Sequence, residues 1–309
     1  MRKLRRSGAL SWPAVLVALA CGMPVAAAEP DAAATPIAAC ASAAAVTAVP
    51  AGLPMLDWSE NVGYDTAGNL WVSRPYRNVV QRYDHTGALT ATVPVEFPGA
   101  VRSGPDGLLY VVYGDSPTSL VRPGGLVRFD PTAAAPKPEV FVSGLTTMPN
   151  GAAFDADGYL YVGASMSGVI RIRPDGSIDT AWTEQAPKTS ANGVVVHDRT
   201  LYVTSNGGPL GRIQRVPIDA PGEASVVADL SSPLPAIPDF VDDLLIDRDG
   251  NLLVTTLGGQ LVRVAPSTGA TCAVLSGEPL TSVTAIPGAP DQLIAGTERG
   301  AVLRIQLPG

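Results

Sequence analysis

Short apolar runs broken by Gly, Pro, Asn and Asp follow one another along this chain, and the arrangement recurs six times. Each copy opens on a polar or small residue, continues as an apolar run, turns around Asp-Gly and ends in a second apolar run. The copies are Glu60–Val72 (ENVGYDTAGNLWV), Gly99–Val111 (GAVRSGPDGLLYV), Asn150–Val162 (NGAAFDADGYLYV), Asn192–Val203 (NGVVVHDRTLYV) and Asp242–Val254 (DDLLIDRDGNLLV). A degenerate sixth spans Ser282–Ala295 (SVTAIPGAPDQLIA). Asp and Gly tolerate the positive φ of a tight turn, so every copy predicts a hairpin. The fourth is one residue shorter and lacks the glycine.

A second motif keeps step with the first. After each hairpin comes an apolar run containing one arginine: Arg82, Arg128, Arg171, Arg215, Arg263 and Arg304. These runs predict the third strand of each unit, away from the axis, where the arginines cover apolar neighbours or pair with loop acids rather than form a basic ring. Outer strands are expected at Leu89–Val95, Glu139–Val142, Ala224–Ala228 and Thr271–Leu275. Repeats of this length, each worth three or four short strands, describe an all-β, six-bladed β-propeller. The last copy has no outer strand of its own, and Ala43–Val49 is a strand candidate with no other use. The ring is therefore expected to close by adding this N-terminal strand to the last blade, which also removes an exposed edge. No segment has a helical period, so helices should be few.

Composition adds the compartment. Arg2, Lys3, Arg5 and Arg6 precede an apolar stretch, Trp12 to Val25, and Ala26-Ala27-Ala28 offers a small-residue cleavage site. Pro13 and Pro24 interrupt the stretch, which argues against a membrane anchor. Residues 1–28 are expected to be a signal peptide, for the general or the twin-arginine route. Residues 29–56 then form an N-terminal segment with the ring-closing strand, and residues 57–309 form the propeller. The protein is expected to be secreted or periplasmic, with lipid attachment at Cys21 a weaker option. Cleavage moves the formal charge from −7 to −11, because four basic residues leave with the signal. An acidic chain without basic runs is repelled by nucleic acid and by anionic lipid, so a small-molecule substrate is the expected partner and a monomer the expected state. Of three cysteines, Cys40 and Cys272 survive cleavage. A disulfide between them is expected, because the added strand brings Cys40 beside the outer strand of blade five.

In a propeller the first strand of each blade lines the channel, so the residues opening the copies form a ring at one mouth. They are Glu60, Gly99, Asn150, Asn192, Asp242 and either Ser282 or Val283. Two carboxylates and two amide oxygens suit a hard divalent cation, with calcium expected over zinc, since neither His85 nor His197 falls at this position. No Gly-x-Ser-x-Gly elbow occurs, which removes the usual serine-esterase reading. Tyr110, Tyr161 and Tyr202, with Trp71, share one strand position and are expected to pack the blades.

Residues 57–309 resemble the regucalcin–gluconolactonase family of six-bladed, calcium-dependent lactonases, on the blade pattern and on Glu60, Asn150-Gly151, Asn192-Gly193 and Asp242. The resemblance implies metal ligation by Glu60, Asn150, Asn192 and Asp242, with Asp242 also the general base, and metal-assisted opening of a lactone or small ester. The chain departs from the family at three places. Asn61-Val62 follows Glu60 where the family has a small residue and Pro. Met148 stands where sugar lactonases place an Arg near the substrate, so Met148 and Asn150 are the expected substrate contacts and a more apolar substrate is favoured. Pro238-Asp239-Phe240-Val241-Asp242-Asp243 replaces Pro-Asp-Gly, leaving Asp239 as an alternative ligand. A non-catalytic binding propeller and a propeller enzyme of different chemistry are the competing functions.

Overall fold

The computed structural model describes residues 37–308 except residue 41, residues 208–210 and residues 231–239. The segment read as a signal peptide and the alternative ligand Asp239 therefore lie outside the described residues. The described strands form six antiparallel sheets, and the protein is a six-bladed β-propeller. The inner strands are Val62–Tyr64, Val101–Ser103, Pro149–Phe154, Ala191–His197, Val241–Ile246 and Leu280–Ile286. The strands second in their sheets, such as Leu70–Arg74, Leu160–Ala164 and Leu252–Thr256, are buried along their whole length. A strand covered on both faces by neighbouring blades loses the polar side of its alternation, which explains the near-continuous apolar runs.

The turns follow the sequence pattern. Gly68, Gly107, Gly158 and Gly250 all have φ near +80°, a value open to glycine at no steric cost. The shorter fourth copy solves the same problem with Asp198 and Arg199, whose φ values are 43° and 57°. His197 pairs with Thr200 across that two-residue turn, as expected for a primed hairpin. Each arginine of the third strands lies opposite the residue that follows the leading Leu of the second: Trp71 with Arg82, Tyr110 with Arg128, Tyr161 with Arg171. Arg82 stacks over Trp71 at 5.7 Å, and Arg128 pairs with Glu139 at 2.7 Å. Arg82 and Arg128 thus cover an aromatic neighbour or meet an acid.

Blade three departs from the others. Its sheet has three strands, and a short helix, α1 (Thr180–Gln185), follows where an outer strand stands elsewhere. Asp179 caps α1 and also pairs with Arg173 at 2.8 Å. Trp182 then packs on Tyr161, ring centroids 5.2 Å apart, and donates its indole N–H to Ile218 O at 2.7 Å. The N-terminal strand β1 (Ala44–Val49) runs antiparallel to Val302–Gln306 as the outermost strand of the sixth sheet. Cys40 and Cys272 are joined by a disulfide across a sequence separation of 232 residues, with Cα atoms 5.4 Å apart.

Neighbouring blades meet at one repeated position of the second strand. In blades one, four and five it carries Ser73, Thr204 and Thr255, all fully buried. Each hydroxyl donates to a backbone carbonyl of the next blade's inner strand or its entry: Ser73 to Gly99 O at 2.6 Å, Thr204 to Asp242 O, Thr255 to Thr281 O at 3.4 Å. In blades three and six the position is Gly163 and Gly296, because the neighbouring carbonyl passes too close for any side chain. A Cβ on Gly163 would lie 2.0 Å from Asn192 O, and one on Gly296 2.4 Å from Ser59 O.

Gly163→Ala is expected to destabilise the protein by about 1–3 kcal/mol, because the obstructing atom is backbone and cannot rotate away. Gly277→Ala, which meets nothing within 4 Å, should stay within about 0.5 kcal/mol. Equal thermal midpoints for the two variants would show that the inner strands are free to move apart.

Candidate functional site at the channel mouth

Each inner strand begins with a bulge. Asn150 and Gly151 together face the single residue Gly163, since Pro149 pairs with Ala164 and Ala152 with Val162. Asn192-Gly193 face Thr204, and Asp242-Asp243 face Thr255, in the same way. In blade one Glu60 N donates to Ser73 O while Ser73 N donates to Asn61 O. A bulge turns a side chain out of the sheet alternation, and here it sets Glu60, Asn150, Asn192 and Asp242 at equivalent positions of their blades. The equivalent residue of blade six is Thr281, two positions before Val283. The sequence reading of Ser282 or Val283 at this position is thus corrected: the degenerate copy hid the extra residue of the bulge. Thr281 donates its hydroxyl to Ser59 O and serves the blade seam instead.

The sequence-predicted residues stand as follows. Glu60, Asn150 and Asp242 are 8%, 7% and 5% exposed. The Glu60 carboxylate accepts Trp58 Nε1 at 2.6 Å and Asn150 Nδ2 at 2.8 Å. Asn150 Nδ2 also donates to Asp115 Oδ2 at 2.8 Å. Asn192 Oδ1 is buried and has no hydrogen-bond partner. Its backbone is fixed: the Asn192 carbonyl lies between Gly151 and Gly163, where added Cβ atoms would approach to 2.3 and 2.0 Å. Among the described residues no hydrogen bond reaches the Asp242 carboxylate. Met148, two residues before Asn150, is half-buried with φ at 53°; its N–H donates to Ser119 Oγ at 2.9 Å and its carbonyl accepts from Ser165 N at 3.0 Å.

Asp115 escaped the sequence reading. It sits on the loop after the second strand of blade two, so it has no counterpart in the repeats. The available signal was Gly99: the ring position of blade two has no side chain, and Asp115, from that blade's own loop, meets Asn150 beside it. The segment bearing Glu60 is anchored by Arg74, 2% exposed, whose guanidinium donates to Asp57 O, Ser59 Oγ and Gly300 O. Beneath the mouth Arg102 crosses the channel. It donates to Ala152 O of blade three at 2.8 Å and to Asn61 Oδ1 of blade one at 2.6 Å, and lies 3.4 Å from Asp243 Oδ2 of blade five.

The electrostatics of the mouth are one-sided. Burial raises the pKa of Glu60, and Asp243 adds to it, against hydrogen bonds from Asn150 and Trp58. Asp115 is pushed well above the usual carboxylate range by burial and then by Glu60. Asp242 is raised well above it by burial, then by the charges of Glu60, Asp243, Asp115 and Glu298. Among the described residues the leading influences on Asp242 and Asp115 are burial and neighbouring carboxylates. Among the described residues no group of three or more His, Cys, Asp or Glu side chains is arranged to hold a metal ion by itself; any cation here needs the amide oxygens as well. Around this acidic centre the loops at the same end of the blades expose apolar side chains: Leu53, Met55, Tyr76, Leu120, Val121 and Met166, from 50% to 81% accessible. Tyr76 packs edge-on against Trp58 at 5.6 Å.

Solved structures share this architecture. A gluconolactonase from Xanthomonas campestris aligns over 92% of this chain and 99% of its own, with a TM-score of 0.67 and 18% identity. Regucalcin from Agrobacterium tumefaciens, described as a calcium-binding protein, aligns over 88% of this chain and 96% of its own, at TM-score 0.65 and 17% identity. A luciferin-regenerating enzyme aligns over 87% and 96%, at TM-score 0.64 and 16% identity. No family model and no curated protein sequence matches the chain. At these identities the likeness is one of fold.

The raised carboxylates set a pH dependence. Their unfolded pKa values lie near 4, so above about pH 4 the folded state of the cation-free protein holds more protons than the unfolded chain. Stability contributed by the protonated forms is present at low pH and is lost as pH rises through the folded pKa values. In chelator the denaturation midpoint is expected to be higher at pH 5 than at pH 8, and Asp242→Asn should flatten that slope. A slope unchanged by the substitution would show that the Asp242 charge is already balanced.

Proposed function

We propose that the protein is an exported, calcium-dependent hydrolase that opens a neutral lactone or small ester bearing an apolar substituent. The observation that carries this reading is the mouth itself. Its support is the equivalent bulge position of Glu60, Asn150, Asn192 and Asp242 in four blades, the unpartnered Asn192 Oδ1 and the like charges that act on Asp242. Buried carboxylates without a counter-charge are costly, and all-oxygen donors without His or Cys fit calcium. Export rests on the basic start, apolar stretch and small-residue site of residues 1–28, and accords with the Cys40–Cys272 disulfide.

Glu60, Asn150, Asn192 and Asp242 would hold the ion, which when bound supplies Lewis acidity toward an ester carbonyl. Asp242 takes the proton of the attacking water as the new C–O bond forms at the carbonyl carbon. It returns that proton to the departing oxygen as the ester bond breaks, giving a hydroxy acid from a lactone. Trp58 and Asn150 fix the Glu60 carboxylate, and Asp115 orients the Asn150 carboxamide; such outer partners set the placement of ligands. The like charges of the mouth disfavour anionic substrates. The exposed Leu, Met, Val and Tyr side chains of the rim favour an apolar acyl or aryl group.

The native protein is expected to carry about one calcium ion per chain, and chelation should stop lactone opening until calcium is restored. Asp242→Asn is expected to lower kcat by at least about 10²-fold while the cation-free variant keeps or gains thermal stability. A protein with no bound metal, whose activity and stability ignore both chelator and Asp242→Asn, is a binding propeller and not this hydrolase.

A further inference from the structure

A cleft of about 380 Å³ opens along the seam where β1 and the sixth blade meet the first blade. It lies at the far end of blade one from Glu60, because its walls include Gly68 of the first hairpin turn and residues 83–87 of the next turn. The floor is apolar: Val49, Leu70 and Ile294, each less than 8% exposed, with Ile286 beside them. The rim is polar, with Arg304, Tyr64, His85 and Thr86. Volumes from about 300 Å³ upward are typical of small-molecule pockets with mostly apolar linings and few polar groups.

Arg304 is the decisive group. It is the sixth of the repeated arginines, and four of the others have fixed partners: Arg82 with Pro131 O, Arg128 with Glu139, Arg171 with Asp179, and Arg263 near Asp247. Arg215 and Arg304 have no hydrogen bond or ion pair among the described residues, and Arg304 lies on the wall of the cleft. In register it stands between Val46 of β1 and Ile294, so its charge borders apolar surface. Tyr64 is close enough to feel that charge, which lowers a phenol pKa otherwise raised by burial; the hydroxyl remains a donor. The one acid on the rim, Asp84, turns Oδ1 into its own turn, accepting from Thr86 N at 2.8 Å and Ala88 N at 3.0 Å.

We propose that this cleft binds a monocarboxylate with a compact apolar tail, of the class of medium-chain fatty acids. The carboxylate engages the Arg304 guanidinium, which presents paired N–H donors matched to two carboxylate oxygens. The Tyr64 hydroxyl adds a donor, and the tail covers Val49, Leu70, Ile286 and Ile294. Because β1 and the first blade both line the cleft, the ligand ties the N-terminal strand to blade one and stabilises the closed ring. This site is independent of the chemistry at the mouth.

Calorimetric titration and thermal melting of the full protein with octanoate, and with uncharged octanamide, test this site. Octanoate is expected to bind saturably and raise Tm, with octanamide at least about tenfold weaker, the difference that an ionic hydrogen bond contributes. Arg304→Gln should weaken octanoate by a similar factor while leaving lactone opening and metal content unchanged. Absence of saturable octanoate binding, equal affinity for octanamide, or undiminished binding by Arg304→Gln would each overturn the proposal. If that variant failed to fold, the octanoate–octanamide comparison on the native chain would still support the site or overturn it.

Discussion

The rest of this molecule depends on holding buried carboxylates together at the end of a closed ring. Burial raises the proton affinity of Glu60, Asp115 and Asp242, the Glu60 charge adds to that of Asp115, and both add to that of Asp242; only a scaffold whose parts cannot drift apart can keep them near. The scaffold meets that demand at the blade seams. Hydroxyls of Ser73, Thr204 and Thr255 cross to the next blade, and Gly163 and Gly296 admit a carbonyl directly. The same carbonyls belong to or adjoin the mouth residues: Asn192, Asp242 and Ser59. Packing between blades and placement of the acidic groups are therefore one set of contacts.

The bulge at the start of each inner strand converts this packing into a site. Without the extra residue, alternation would bury or expose whole strands in register and leave nothing aimed along the axis. With it, Glu60 and Asn150, the first residues of their pairs, meet across blades, and so do Asn61 and Asp243, the second residues of theirs. There Asn61 and Asp243 meet Arg102, and Asp243 Oδ1 and Ser282 Oγ remain buried without partners. A positive charge just below an acidic mouth divides the channel into two electrostatic zones. The upper zone lacks a counter-charge and the lower one has its own, which is why the proposed cation belongs at the mouth.

The outer surface is organised by a different rule. The aromatic residues of the second strands meet the arginines of the third, and turn aspartates such as Asp65 and Asp155 accept from Trp71 Nε1 and Tyr161 Oη at 2.9 Å each. These polar clasps end the blades at the turn side. Arg304, which has no such partner among the described residues, lines a cleft instead.

Six copies and their hairpin turns were legible in the chain, because short apolar runs and Asp-Gly turns are local and the repeats state them again. The repeat also fixes the register of Glu60, Asn150, Asn192 and Asp242, which hold equivalent bulge positions in their blades. Thr281 was not legible, since the sixth copy is degenerate and its two adjacent polar residues, Thr281 and Ser282, leave the register open by one residue. The helix of blade three was not, because six residues capped by Asp179 and held by Trp182 take their stability from packing rather than from a period. Asp115 belongs wholly to tertiary structure. A loop residue has no repeat to place it, and only the folded ring brings it beside Asn150. The sequence by itself thus determined what recurs locally, while the closed ring decided what meets across blades, because such contacts depend on distances between segments that no local pattern encodes.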